Sequence, residues 1–264
     1  MTRILFYSDL HTEVRGFTPP DPDSLPARPD VLVLAGDTGA HDSAVAQAAR
    51  LGVHFSCPVA LVAGNHEFYN AHIELTEQRL RAEAIQVAHT GADVRVLGGD
   101  GAVVTHVGPL RIIGATLWTD YDLYGAPAPA MNAARRMMND HRLITCGADK
   151  RSFQPEDALD LHVRDRAAIL AELARPHDGP TLVVSHHAPV RGATHPMYGT
   201  HPLNAAFASG LEHSLGEQAY DALIYGHTHN GLEPVLPRGQ RVLTNARGYP
   251  GEATSFDPRR MIEL

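Results

Sequence analysis

The chain has 264 residues, 44% of them apolar, and a formal net charge of −8. This length and composition describe a globular protein that can bury a sizeable core. The acidic charge argues against long nucleic acid as a partner, because such partners are bound mainly by neutralising phosphates.

The N-terminal sequence MTRILFYSDLH enters a strand-like run at once. It lacks the charged region and long apolar stretch of a signal peptide, and no apolar run in the chain approaches the length of a membrane span. The two cysteines, Cys57 and Cys146, lie far apart without metal-type spacing, so we expect free thiols. These features predict a cytoplasmic enzyme without a membrane partner.

Short apolar runs rich in β-branched residues predict strands that are buried on both faces. In chain order these runs are RILFYS (3–8), VLVLAG (31–36), VALVAG (59–64), RIIGAT (111–116), TLVVSH (181–186) and DALIYG (221–226). Stretches with an apolar period of 3.6 residues predict helices at 42–55, 72–88 and 156–174. The alternation, with further strand-rich segments at 94–117 and 232–263, predicts an α/β fold of layers around mixed sheets.

The segment from Asp120 to Phe153 is predicted to be an insertion. Its opening DYDLYGAPAPA contains Pro127 and Pro129, which disfavour a helix, whereas the following MNAARRMMNDH has a helical composition. No repeat, low-complexity tract or clear linker divides the chain. We therefore expect a single domain over residues 1–264 with a lid insertion at about 120–153.

Potential metal ligands follow five of the predicted strands, at the carboxyl end of each. They are Asp9 and His11, Asp37, Asn65, His186, and His227 with His229. Open α/β sheets form their ligand crevice at this edge. Each short motif alone is more often a turn or a surface loop, but independent accidents would not all fall at strand ends. The combination predicts a metal site.

The HTH segment within GHTH is informative only in this context. Alternate residues of a strand point the same way, so His227 and His229 would face one side if the strand continued through them. Gly226 would let the backbone turn freely. In a chain with 17 histidines, such a pair alone is weak evidence for a metal site.

The number and type of these side chains favour two ions over one. Seven candidate ligands exceed the need of a single ion, and one carboxylate can bridge two ions. The set contains no thiolate, which argues against a structural zinc site, and it suits Mn, Fe or Zn without selecting among them. Two ions about 3.5–4 Å apart would turn a bound water into hydroxide and polarise the leaving oxygen in an in-line displacement at phosphorus.

The ordered motifs D-x-H, G-D, G-N-H-E, H and G-H-x-H resemble the signature of the calcineurin-like metallophosphoesterases. They run without a gap from Asp9 to His229, over most of the chain. The resemblance implies a four-layer α-β-β-α sandwich of two mixed sheets flanked by helices, with metals at the strand ends. It also implies a metal-dependent hydrolase of phosphoric esters.

The resemblance further implies a role for each site residue. One ion would be held by Asp9, His11 and His229, the other by Asn65, His186 and His227, and Asp37 would bridge them. His66 resembles the family histidine that stays off the metal and donates a proton to the leaving oxygen or stabilises the charged transition state.

The choice of His186 over its neighbour His187 follows from position. His186 directly follows the strand TLVVS, as the other ligands follow theirs. His187 would then lie behind the ligands or face the substrate, or it would be a solvated loop histidine.

One motif departs from a subfamily and narrows the substrate class. Protein Ser/Thr phosphatases carry G-D-x-x-D-R-G, whereas Ala40 and His41 stand at the Asp and Arg positions of GDTGAHD. A DNA-repair nuclease would add a basic surface, which this acidic chain does not indicate. We expect hydrolysis of a small phosphodiester, such as a cyclic nucleotide, or of a phosphomonoester. A DNA or RNA nuclease and a non-catalytic metal-binding interaction module remain the alternatives.

Substrate selectivity is expected to depend on the insertion and on the loop at 187–210. Aromatic residues there would stack on a base or pack the lid onto the core. Arginines and histidines would meet a phosphate or line the pocket mouth, or else have only surface or structural roles. The residues with these two interpretations are Trp118, Tyr121, Tyr124, Arg135, Arg136, His195, His201 and Arg247.

Overall fold

The computed structural model describes residues 1–40, 43–100 and 103–264. The strands of this part of the chain are β1 (Arg3–Tyr7), β2 (Val31–Ala35), β3 (Val59–Val62), β4 (Ala71–His72), β5 (Val94–Leu97), β6 (Val104–Val107), β7 (Leu110–Ala115), β8 (Ile144–Cys146), β9 (Arg151–Ser152), β10 (Thr181–Ser185), β11 (Ala222–Tyr225), β12 (Arg241–Thr244) and β13 (Met261–Glu263). Its α-helices are α1 (Ser43–Phe55), α2 (Ile73–Val87), α3 (Pro127–Met137), α4 (Asp140–Leu143), α5 (Pro155–Leu173) and α6 (Glu212–Gly216).

The six predicted strands and three predicted helices are all present, with bounds within two residues of the prediction. Position 42, the predicted start of the first helix, lies outside the described residues. Among the helices that the structure describes, none combines the length and apolarity needed to cross a bilayer. Both cysteines are free, as predicted, and both are buried.

Two five-stranded sheets form the body of the protein. The first has the order β13-β1-β2-β3-β5 and the second the order β12-β11-β10-β7-β6, while β4, β8 and β9 form a small third sheet. Each large sheet is mixed, because only its β1–β13 or β6–β7 pair is antiparallel. The parallel strands therefore end at one edge of each sheet, where the loops that follow them meet.

Alternate residues of the central strands face different layers. Ile4 and Phe6 of β1 join Ile112 and Val184 of the second sheet in one buried cluster, which lies between the sheets. The intervening Leu5 belongs to a second cluster that includes the helices. Helices α1 and α2 contact the first sheet and α5 contacts the second. The α/β fold of two mixed sheets with flanking helices is confirmed, and burial on both faces explains the near-continuous apolar runs.

The expectation for the start of the insertion was wrong. Helix α3 begins at Pro127 and includes Pro129. Both prolines lie in the first turn, where backbone amides have no acceptor within the helix, so their missing N–H groups cost little. The helix also stops before Met138, which is extended, and α4 starts anew at Asp140. This break carries Asp140 toward the carboxyl ends of the strands.

The segment 232–263 is less strand-rich than predicted. Within it, the described chain forms only β12 and β13. Prolines cannot donate to a strand ladder, and several punctuate this segment: Pro234, Pro237, Pro250 and Pro258. The loop between the two strands, residues 245–260, runs back over the carboxyl end of β1 and contacts the candidate ligands there.

Candidate metal centre

All seven predicted ligands lie together at the carboxyl ends of the central strands. Those at most 7% exposed are Asp9, His11, Asp37, Asn65, His186 and His227. The side chain of His229 is 14% exposed. Charged and imidazole side chains are rarely this buried unless they are paired or hold a metal.

The first ligand group consists of Asp9, His11 and His229. The Nε2 atoms of His11 and His229 are 3.1 Å apart, and His229 Nε2 lies 3.2 Å from Asp9 Oδ1. Three donor atoms thus converge on one point, as expected for the ligands of a single ion.

The second ligand group surrounds His186. Its Nε2 lies 3.0 Å from Asn65 Oδ1, 3.2 Å from His227 Nδ1 and 3.4 Å from Asp37 Oδ1. The other carboxylate oxygen, Asp37 Oδ2, lies 3.8 Å from His11 Nε2 in the first group. Asp37 therefore turns one oxygen to each group, which is the geometry of a bridging carboxylate.

One buried atom tests whether cations fit this arrangement. Asp9 Oδ2, in the first ligand group, has no hydrogen-bond partner within the described residues. A buried carboxylate oxygen without a partner is costly, and such orphans call for a specific explanation. A set of imidazole, carboxylate and amide donors without thiolate suits transition-metal ions, so these residues fit a pair of them.

The backbone of the ligand loops departs from ordinary geometry. Positive φ angles between 44° and 67° occur at Asp9, His11, Asp37, His227 and His229. Non-glycine residues in this region are uncommon and cluster at functional sites. The two histidines of GHTH therefore do not continue β11, which ends at Tyr225, and the expectation that they alternate along a strand was wrong.

Two motif glycines provide space for the carboxylates. A Cβ at Gly64 would collide with Asp37 Oδ1 and lie 2.8 Å from His186 Cε1. A Cβ at Gly226 would lie 2.7 Å from Asp9 Oδ2. Gly226 does not have a positive φ, so its role is close approach and not the backbone freedom that the sequence suggested.

Glu67 organises the loop that carries Asp37. Its carboxylate is fully buried and accepts the backbone N–H of Gly64 at 2.6 Å, of Thr38 at 2.8 Å and of Asp37 at 3.1 Å. Burial and the charge of Asp37 raise the pKa of Glu67 to about 7. The final residue of GNHE thus joins two ligand loops through backbone hydrogen bonds.

Asn65 is held in one orientation by Tyr69 and Asp140. Its Nδ2 donates to Tyr69 Oη and to Asp140 Oδ1, at 2.9 Å each, and Tyr69 donates to the same Asp140 oxygen at 2.8 Å. The amide nitrogen is thereby turned away from His186, and the amide oxygen faces the second ligand group. Asp140 is 4% exposed.

His66 lies between a carboxylate and a phenol. Its Nδ1 is 2.8 Å from Glu13 Oε1, and its Nε2 is 2.9 Å from Tyr249 Oη. Burial lowers the pKa of His66, but Asp37 and Glu13 outweigh this effect and raise it to about 9. Burial raises the pKa of Glu13, but its hydrogen bonds with His11 and His66 bring it down to about 2. His66 is therefore a charged hydrogen-bond donor beside Asp37.

His186, His229 and His227 differ in the direction in which their pKa values are shifted. Burial lowers the pKa of His186 and of His229, but nearby carboxylates, led by Asp37 and Asp9 respectively, raise these values to about 10 and about 9. Burial and the neighbouring histidines hold the pKa of His227 well below its usual range. The Nδ1 of His229 also lies 2.7 Å from Glu252 Oε2, the carboxylate–histidine contact that orients metal ligands.

His187 is an interior residue. It is 1% exposed, its ring lies 4.2 Å from that of His227 and 5.1 Å from that of Trp118, and its Nδ1 faces Thr116 O at 3.3 Å. Burial and the charge of His186 lower its pKa to about 3. The alternative of a solvated loop histidine was wrong. His187 packs against the ring of His227, a predicted ligand.

Arg247 has the structural role that was one of its two interpretations. Its guanidinium donates to the backbone carbonyls of Leu10, Arg15 and Gly16 at 2.8–2.9 Å and lies over the ring of Phe17. Burial lowers its pKa. This side chain fixes the loop after β1 and does not face the ligand groups.

The remaining candidates for substrate contact also have structural partners. Trp118 and Tyr121 are buried in the core, and Arg135 pairs with Glu156 at 2.6 Å. Tyr124 donates to Gly199 O at 3.2 Å, which links the insertion to the 187–210 loop. The exposed residues are Arg136, His195 and His201, and each of the two histidines accepts a backbone N–H at the start of a short 3₁₀ turn.

Sequence reasoning missed most residues that support the ligands. Glu67 stood in the motif GNHE, and Glu13 lies two residues after His11, so both had a local signal. Nothing short-range marked the more distant ones, which are Asp140, Tyr249 and Glu252.

Comparisons with known proteins bear on the family and the fold of this chain. The family model described as calcineurin-like phosphoesterase matches residues 2–231. A phosphopantetheinyl hydrolase from Mycobacterium tuberculosis is similar in structure with a TM-score of 0.68 and 20% identity, covering 94% of this chain and 90% of that one. A dimetal phosphatase from Danio rerio gives a TM-score of 0.51 and 16% identity, with 92% and 86% covered. At these identities the similarity shows a shared fold. No curated protein matches this sequence significantly.

Proposed function

Because the chain belongs to the calcineurin-like phosphoesterase family, and is thus a metallophosphoesterase, we propose that it hydrolyses small phosphoesters with a dinuclear metal centre. The observation that carries this proposal is the position of Asp37. Its Oδ1 faces His186 at 3.4 Å and its Oδ2 faces His11 at 3.8 Å, so one carboxylate serves both ligand groups. A shared carboxylate would hold two ions close together, as two-metal catalysis at phosphorus requires.

We assign the ligands to two ions on this basis. Asp9, His11 and His229 hold one, Asn65, His186 and His227 hold the other, and Asp37 lies between them. Bound there, transition-metal ions such as Mn, Fe or Zn would activate the attacking water and offset charge on the phosphoryl oxygens. The donor set does not select among these metals.

We assign to His66 the donation of a proton to the leaving group. Glu13 accepts from Nδ1 and fixes the ring, so Nε2 is the nitrogen that supplies a proton. Burial lowers the pKa of His66, but Asp37 and Glu13 outweigh it and favour the protonated ring. His66→Ala is therefore expected to lower turnover by about 10²–10⁴-fold while the metal content stays unchanged. Equal loss of metal and turnover would assign His66 to metal binding instead.

The substrate class that we propose is a small phosphodiester, with a phosphomonoester as the second candidate. The chain carries a net charge of −8, which disfavours nucleic acid, and Ala40 replaces an Asp of the protein phosphatase motif. His41, at the Arg position of that motif, lies outside the described residues. A structural neighbour is named a phosphopantetheinyl hydrolase. The diesters to be tested as substrates are therefore cyclic nucleotides and a phosphopantetheinyl ester.

The deciding assay compares bis-p-nitrophenyl phosphate with p-nitrophenyl phosphate. Metal-stripped protein is reconstituted with Mn²⁺, and Asp37→Ala, which removes the shared ligand, is the control. Diester cleavage that depends on metal and is lost in the control supports the phosphodiesterase, and monoester preference moves the assignment to a phosphatase. Metal retention without either activity supports a binding module, and cleavage of DNA with Mn²⁺ supports a nuclease.

A further inference from the structure

The residues after position 231 lie beyond the span matched by the family model, yet they form one wall of the metal centre. The backbone N–H of Arg247 donates to Ser8 O and that of Gly248 donates to Asp9 O, each at 3.1 Å. The guanidinium of Arg247 holds the loop after β1 at the same place. The segment is therefore fixed to the backbone that carries the ligands of the first group.

Tyr249 is the side chain that this wall places at the reacting centre. Its ring stacks on His11, with centroids 4.4 Å apart and planes at 24°, and its hydroxyl lies 2.9 Å from His66 Nε2. Its backbone N–H donates at 2.8 Å to Glu252, the carboxylate that also contacts His229. Ring and backbone are thus held independently, which leaves the hydroxyl a defined position.

The contacts of His66 leave a single route for its proton. Nδ1 faces Glu13 at 2.8 Å, so only Nε2 can serve a leaving oxygen. That nitrogen already lies within hydrogen-bond distance of the Tyr249 hydroxyl. A hydroxyl both accepts and donates a hydrogen bond, so it can take a proton on one side and give one on the other.

We propose that the Tyr249 hydroxyl relays the proton from His66 to the departing oxygen. The inference rests on the proposed function and adds a residue to it. As the bond from phosphorus to the leaving oxygen breaks, Tyr249 gives its O–H proton to that oxygen, and His66 Nε2 gives its proton to the Tyr249 oxygen. The leaving group departs as a neutral alcohol, Tyr249 ends unchanged, and neutral His66 regains a proton from water.

A relay has a consequence that a purely structural tyrosine lacks. A p-nitrophenolate departs without a proton because its negative charge is stabilised by the nitro ring, whereas an alkoxide needs one. Tyr249→Phe keeps the ring on His11 and removes only the hydroxyl. The ratio of alkyl-ester to p-nitrophenyl-ester turnover is therefore expected to fall by about 10²-fold in this variant, since general acid catalysis contributes at least that much.

The experiment measures kcat and KM for paired esters of the class that the wild type hydrolyses. For diesters the pair is a 3′,5′-cyclic nucleotide and bis-p-nitrophenyl phosphate; for monoesters it is glycerol phosphate and p-nitrophenyl phosphate. Bound metal per chain is determined for every protein by elemental analysis. Tyr220→Phe is the matched control, because Tyr220 precedes β11 at the end opposite His227, and its buried hydroxyl has no partner in the described chain.

The outcomes separate the relay from the other accounts. A shared proton path is supported if the ratio falls through kcat in Tyr249→Phe while the metal content stays at the wild-type value. The His66→Ala/Tyr249→Phe double variant should then show no lower ratio than His66→Ala alone. An equal loss for both esters, or a loss through KM alone, would show that Tyr249 only shapes the site and would overturn the relay. A wild type with bound metal that cleaves none of these esters would instead refute the proposed function.

Discussion

Removing the Asp140 carboxylate is expected to weaken one of the two metal sites selectively. Asp140 Oδ1 accepts from Asn65 Nδ2 at 2.9 Å and from Tyr69 Oη at 2.8 Å, and it is the only carboxylate that the structure places on that amide among the described residues. Without it, only the Tyr69 hydroxyl still accepts from the Asn65 nitrogen, so the amide is expected to turn its nitrogen toward His186 for part of the time. An amide nitrogen does not ligate a cation, so Asn65 does not serve as a metal ligand whenever its nitrogen faces His186.

The expected loss of metal affinity lies between two limits. Changing the partner that orients a metal ligand typically costs about 10–100-fold in metal affinity, or about 1.4–2.8 kcal/mol. Asp140→Asn keeps an oxygen that can accept both hydrogen bonds and removes only the negative charge, so we expect the lower limit. Asp140→Ala removes both bonds and leaves a cavity, so we expect the upper limit.

The assay is a competition titration of Mn²⁺ against a chelator of known affinity, with bound metal counted per chain. The Mn²⁺ ion whose affinity falls should be the one bound by Asn65, His186 and His227, while the affinity for the other Mn²⁺ ion changes little. Asp122→Asn, an exposed carboxylate of the same insertion, serves as the control. Two unchanged affinities in Asp140→Ala would refute the orienting role, and equal loss at both sites with a lower melting temperature would indicate general disruption.

Three further predictions concern the same centre. Glu252→Gln is expected to lower metal affinity about tenfold at the group containing His229, because it removes the carboxylate on Nδ1; an unchanged chelator titration would contradict this. Gly64→Ala is expected to lower both the melting temperature and the metal content, since its Cβ would collide with Asp37 Oδ1, and wild-type values for both would show that the loop has room to move. Metal binding by stripped protein is expected to strengthen from pH 6 to pH 9, because carboxylates outweigh burial and raise the pKa of His186 to about 10 and of His229 to about 9, so bound protons must leave before the cation binds. Calorimetry in buffers of different ionisation enthalpy measures that release, and a pH-independent affinity would exclude it.

The part of the site that could be predicted is the part set by local sequence. Asp9 and Asp37 each follow their own buried strand, and parallel strands bring their carboxyl ends to one edge whatever the loops do. The apolar runs that predict the strands therefore also predict where the ligands meet. Glu67 belongs to the GNHE motif and so had a sequence signal, although its hydrogen bonds to the Asp37 loop are visible only in the structure.

The part that could not be predicted depends on where chain breaks fall. Asp140 reaches Asn65 because α3 ends before Met138 and α4 begins again, and a helical composition across 131–141 gives no sign of that break. The reading of Pro127 failed for a related reason: a proline ends a helix from within but is tolerated in the first turn, and composition alone does not tell which position it holds. Tyr249 stands in an irregular loop, where periodicity carries no information.

The positions of these unpredicted residues bear on how the site is tuned. Asp140 orients Asn65 from the segment 120–153, while Glu252 contacts His229 from the C-terminal segment, so a different segment outside the motifs supports each ligand group. The motif residues supply the predicted ligand atoms, and these two segments fix the orientation of Asn65 and His229. Since the affinity of a ligand set depends on such outer contacts, we expect the segment 120–153 and the C-terminal segment to set the relative affinities of the two proposed metal sites. Changes at Asp140 or Glu252 should therefore alter metal content first, whereas Tyr249→Phe should leave it unchanged.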